Sequence, residues 1–185
     1  MDQNPVLFDG RPEGTLRPQQ QAIYDRLEEL HIPFLRADHD AADTMEACAA
    51  VESTLGARIC KNLFLCNRQE TEFRLLLMPG GKPFKTKYLS SQLGCSRLSF
   101  ASPEHMARLL RTVPGSVSPL ELIFDTENRI RLVMDEELLE WDYICVHPGF
   151  STSTLRLTRE DLLRLCAENG HDPVFVRLPR EEGAE

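Results

Sequence analysis

The sequence predicts an α/β protein: a single domain with a mixed β-sheet and helices packed against it. Three observations carry that prediction. The chain has 185 residues, 42% hydrophobic and 27% charged, which suits one sizeable core. Helical and strand patterns interleave along it instead of segregating. Several strand-to-strand connections are too short for a helical crossover, so part of the sheet must be antiparallel. A doubly wound nucleotide-binding sheet is disfavoured, because neither GxGxxG nor a Walker lysine loop occurs.

Each element has its own signal. Residues 1–17 read as a flexible lead-in, 18–179 as the folded unit and REEGAE (180–185) as a small acidic tail. From Pro18, Ile23, Leu27 and Leu30 fall on one helical face, and His31-Ile32-Pro33 ends the helix. PFLRADH opens a short strand. A second helix runs from Thr44 to Leu55 and stops at Gly56. ICKNLFLCN (59–67) is a strand apolar on both faces from 63 to 66, hence covered on both sides. NRQET turns it back into EFRLLLMP, a hairpin.

After the loop GGKPF, KTKYLSSQLG reads as a helix closed by Gly94. Ser102, Pro103 and Glu104 are the cap, first-turn proline and first-turn acid of the next one. LELIFD and IRLVM read as a strand pair around Thr126-Glu127-Asn128, and DEELLE as a short helix. WDYICVH and TSTLRL are strands, Thr158 caps a helix to Asn169-Gly170, and VFVRLP is a last strand.

Composition narrows the function. The opening residues are polar and broken by proline and glycine, unlike a signal or transit sequence, and no apolar run is long enough to span a membrane. A cytoplasmic location follows as the expectation. The six cysteines show no CxxC and no zinc spacing, so buried free thiols are expected. Net charge is −8, which argues against a protein that coats nucleic acid. Yet Phe73–Pro119 holds seven lysines and arginines against the single acid Glu104. A local cationic face on an acidic body suits contact with a small part of a polyanion; solvated, scattered charges are the plainer alternative.

Three pieces carry candidate chemistry. Lys61 stands at the entrance of a buried strand, where its ammonium either reaches solvent or is aimed into a pocket. PGSVSP (114–119) is a stiff loop whose backbone amides can hold an oxyanion, or simply turn the chain. In VHPGFSTST (146–154), His147 closes a strand beside Ser151, Thr152, Ser153 and Thr154. Without a GxSxG elbow a Ser–His nucleophile is weakly supported. Cys60 and Cys145 lack any cue for an activating base.

Together, CKNLFL, KPFKTKYLSSQLG, SRLSFASPE, PGSVSPLELIFD and HPGFSTSTLRLTREDLL resemble, in order, the YbaK/ProX family of aminoacyl-tRNA editing domains. The likeness is to its free-standing, PrdX-like prolyl-tRNA-editing branch, and it spans about residues 20–178. It implies hydrolysis of mischarged tRNA(Pro) in trans, removing alanine first of all. A pocket sized for proline rejects a smaller side chain by only about 1–3 kcal/mol. It further implies catalytic roles for Lys61, Gly115 and His147. Asn62, Ser116, Ser118, Pro119, Ser151 and Thr152 would contact substrate, and Lys82, Lys85 and Lys87 would contact tRNA. The implied partners are the acceptor end of tRNA(Pro) and prolyl-tRNA synthetase; no metal and no cofactor is implied. Ser151 replaces an asparagine frequent in relatives, and one hydroxyl cannot copy an amide's paired donor and acceptor. Removal of cysteine or another small residue, and a non-catalytic aminoacyl-tRNA or amino-acid binding module, are the competing readings.

Overall fold

A computed structural model describes residues 4–180. In chain order it contains β1 (Val6–Asp9), α1 (Pro18–Glu29), β2 (Leu35–Asp38), α2 (Met45–Leu55), β3 (Cys60–Cys66) and β4 (Phe73–Pro79). Then come α3 (Thr86–Leu93), β5 (Ser99–Phe100), α4 (Pro103–Leu110), a 3-10 helix (Pro119–Phe124) and β6 (Ile130–Asp135). A second 3-10 helix (Glu136–Glu140), β7 (Tyr143–Val146), β8 (Ser153–Thr158), α5 (Arg159–Glu168) and β9 (Val174–Val176) complete it.

The strands form two sheets. One is four-stranded and antiparallel, in the order β1-β2-β8-β7. The other is five-stranded and mixed, in the order β5-β3-β4-β6-β9. Its β5-β3-β4 part is antiparallel, whereas β6 pairs parallel with both β4 and β9. A parallel bridge between Ile59 and Cys145, with the Cys145 amide donating to the Arg58 carbonyl at 3.1 Å, joins the sheets.

Strand alternation sorts the core. Phe64, Phe73, Leu75, Leu77, Leu132 and Met134 face one side of the five-stranded sheet, packed with Ile23 and Leu27 of α1 and Leu162 and Leu165 of α5. Leu65, Leu76, Met78 and Val133 face the other side, under Leu89 of α3. The two-sided burial expected of residues 63–66 is therefore present. A third cluster, Ala37, Val51, Leu55 and Cys145, lies beneath α2.

One expectation is corrected, and two strands were not anticipated. Residues 120–125 are not a strand hairpinned to IRLVM. Ser118 Oγ accepts from the Leu120 amide, and Pro119 stands in the first turn, so the chain winds into a 3-10 helix. Within the lead-in, read as flexible, Val6–Asp9 pairs along β2, although all four residues are exposed. β5 went unread because two residues carry no period. The acidic tail beyond Arg180 lies outside the described residues.

Candidate active site

The bridge between Ile59 and Cys145 sets the geometry of the site. Both strands run the same way from it, so Lys61 and His147 lie two residues beyond it on each chain. Alternation turns Cys60 and Val146 into the main core. Lys61 and His147 therefore point away from that core: Lys61 shares its face of β3 with Leu63 and Leu65, on the α3 side, whereas Cys145, two residues before His147, lies beneath α2. The bridge thus sets the strands that carry the two pieces side by side, while Lys61 and His147 have separate hydrogen-bond partners.

Lys61 is half-buried, and its Nζ donates to the Lys82 carbonyl at 2.7 Å. One ammonium hydrogen is occupied and two remain for a ligand. His147 is held by Nδ1–H donating to the Ser153 carbonyl at 2.8 Å, which leaves the Nε2 lone pair available in the neutral ring. Burial lowers its pKa from 6.5, the Ser153 contact opposes that weakly, and nearby His39 reinforces it. The ring is therefore a neutral base or water-positioning group at pH 7.

His39 is a residue the sequence reading missed. Its Nδ1–H donates to the Asp40 carbonyl at 2.7 Å, and its Nε2 lies 2.8 Å from Thr154 Oγ1. The His39 amide donates to the Thr152 carbonyl at 3.0 Å. Strand β8 thus holds one histidine through Ser153 and another through Thr154. His39 also lines a hollow of about 260 Å³ with Ala42, Thr44, Ala47 and Val51 of the α2 region. The only sequence signal was a histidine ending a strand, which is too common to single out.

Loop 114–119 enters the same core by a different route. Val117 and Leu120 pack in the cluster that holds Cys60 and Val146. Gly115 is exposed at φ +86°, left-handed backbone that favours glycine, with open space where a Cβ would stand. Ser116 and Ser118 are buried; Ser118 Oγ serves the 3-10 helix cap, and Pro119 is buried behind it. Among the described residues no hydrogen bond ties this loop to Lys61 or His147. Asn62 Oδ1 accepts weakly from the Cys60 thiol at 3.5 Å, Ser151 is half-buried, and Thr152 is exposed.

The expected basic contacts divide. Lys85 and Lys87, with Arg97, line an open hollow beside α3. Lys82 does not join them. It is 5% exposed, and its Nζ lies 2.7 Å from Asp135 Oδ2 and 3.2 Å from Glu137 Oε2. An ammonium so enclosed is withdrawn from a polyanion, and its role as a tRNA contact is corrected. The cysteines are all free, and burial pushes the Cys60, Cys145 and Cys166 thiols up to about 12. None of these three is a thiolate nucleophile.

The two-sheet fold, with a lysine near the start of β3 and a histidine just past the end of β7, is that of an aminoacyl-tRNA editing domain. The model of that family, described as the aminoacyl-tRNA editing domain, matches residues 39–165, and the chain belongs to it. It is an aminoacyl-tRNA deacylase, an ester hydrolase. The chain is 29% identical over 159 residues to the prolyl-tRNA editing protein ProX of Acetoanaerobium sticklandii, covering 86% of this chain and 97% of that one. It is 32% identical over 159 residues to the prolyl-tRNA synthetase associated domain-containing protein 1 of Danio rerio, covering 85% and 86%. A solved structure reported as a candidate trans-editing enzyme for prolyl tRNA synthetase shares the fold. Its TM-score is 0.66 at 19% identity, over 89% of this chain and all of that one.

Proposed function

We propose that this chain edits mischarged tRNA(Pro) in trans, with Ala-tRNA(Pro) as its principal substrate. The observation that supports the reading is the bridge between Ile59 and Cys145, which sets side by side the strands that bear Lys61 and His147. The names of the ProX and prolyl-tRNA synthetase associated relatives supply the tRNA. The substrate joins a small amino acid to the terminal ribose as an ester. Water attacks the carbonyl carbon, an oxyanion forms, and collapse releases the amino acid and the ribose hydroxyl.

Lys61 offers its two uncommitted N–H groups to the ester oxygen or the terminal phosphate. A fixed cation favours the developing charge over the neutral ester. His147 orients the attacking water through Nε2, and a ribose hydroxyl of the substrate assists. Gly115 presents its backbone amide to the aminoacyl group, with Asn62, Ser116, Pro119, Ser151 and Thr152 closing the pocket; the Ser116 amide itself is occupied, donating to the Val113 carbonyl at 3.1 Å. Lys85 and Lys87 steer the acceptor end, and prolyl-tRNA synthetase is the source of the mischarged product.

Deacylation of Ala-, Cys-, Ser- and Pro-tRNA(Pro) by catalytic amounts of the protein tests the reading. Ala-tRNA(Pro) is expected to turn over fastest, and Lys61→Ala to lower kcat about 100-fold or more. Preference for Cys-tRNA(Pro) would move the substrate to the competing choice. Tight binding without turnover would make the chain a binding module.

A further inference from the structure

Lys82 uses three of its groups in three directions. Its amide donates to the Pro79 carbonyl at 3.2 Å, closing the turn after β4. Its carbonyl accepts from Lys61 Nζ at 2.7 Å. Its ammonium is buried against Asp135 at the end of β6 and Glu137 in the following 3-10 helix, with side-chain exposures of 4%, 1% and 13%. Asp135 is itself fixed, because its Oδ1 accepts from the Glu137 amide at 3.1 Å. The loop is confined on its other side as well: a Cβ at Gly80 would stand 2.9 Å from the Ile59 carbonyl oxygen.

From this we infer that Lys82 is a positioning residue for Lys61. The buried pair with Asp135 and Glu137 pins the loop after β4, so that its carbonyl holds the Lys61 ammonium at one place and leaves two N–H groups directed elsewhere. A buried ion pair contributes little net stability, since desolvation offsets attraction, but it defines one geometry. A flexible lysine would otherwise spread its charge over many rotamers, and misplacement by about 1 Å costs on the order of 100-fold in rate. The inference rests on the catalytic reading of Lys61 only for its kinetic consequence.

The test uses the full chain as Lys82→Met and as the double variant Lys82→Met/Asp135→Leu, which removes the stranded carboxylate if the single variant folds poorly. Two readouts are needed. One is the rate at which Lys61 is acetylated by acetic anhydride, located by mass spectrometry. The other is single-turnover deacylation with kcat and KM resolved. The expected result is several-fold faster acetylation of Lys61, with kcat lowered about 10-fold to 100-fold and KM little changed. Unchanged acetylation in a folded variant overturns the inference, as does a purely KM effect. Faster acetylation beside a Lys61→Ala variant of full activity supports the clamp and removes Lys61 from the chemistry.

Discussion

Glu121 carries a carboxyl that neither solvent nor a partner stabilises. It is 1% exposed in the 3-10 helix that follows loop 114–119, and neither oxygen has a partner at hydrogen-bond geometry. Burial pushes its pKa from 4.5 up to about 9, against weak opposing pulls from the nearby Thr112 hydroxyl and Ser118 amide. The folded state therefore keeps a proton that the unfolded chain gives up. Stability is fully present below about 4.5, falls as pH rises through the window to about 9, and is then level. Glu121→Gln cannot ionise, so its melting temperature relative to wild type should climb steadily between about pH 5 and about pH 8.5. Parallel curves for the two proteins would mean that the folded carboxyl is charged.

Helix α2 covers Ala37 and Cys145, yet it contributes only Val51 and Leu55 as buried residues. So lightly packed a helix depends on its ends. Thr44 Oγ1 accepts from the Ala47 amide at 3.1 Å, and Gly56 closes the other end at φ +65°. Thr44→Ala should cost about 1 kcal/mol of local stability. Hydrogen exchange should accelerate in α2 while β4 stays protected, because Leu75, Leu76 and Leu77 are buried on both faces. Equal acceleration throughout would tie α2 to the global unfolding unit. Two other caps, Ser102 and Thr158, were legible beforehand, and all three side chains accept from the residue three positions on. The 3-10 helix at 119–124 was not, because Leu120 and Leu122 are both buried and two alternating leucines imitate a strand.

At the scale of the molecule, charge is divided. The chain carries −8, but Lys85, Lys87 and Arg97 gather around the hollow beside α3. Affinity for tRNA should fall as salt rises, by roughly 0.7–0.9 log units per log unit of salt for each phosphate contacted. Lys87→Ala should reduce that slope and leave single-turnover chemistry at saturation unchanged. A salt-independent affinity would remove this patch from recognition. Among the described residues no helix is long and apolar enough to cross a membrane.

Most elements, the two-sided burial of β3 and the three candidate pieces could be read from local periodicity, because caps, turn residues and alternation act within a few positions. Nothing local revealed Lys82. In sequence it stands in a basic loop with Lys85 and Lys87, but its ammonium meets Asp135, 53 positions away. His39 likewise gains meaning only from Thr154, 115 positions distant. By itself the sequence determined most of the helices and strands and which family motifs the chain carries. Tertiary structure decided how the strands divide into two sheets, which cation is buried and which histidines share a strand, since desolvation and long-range pairing arise only after the chain has folded.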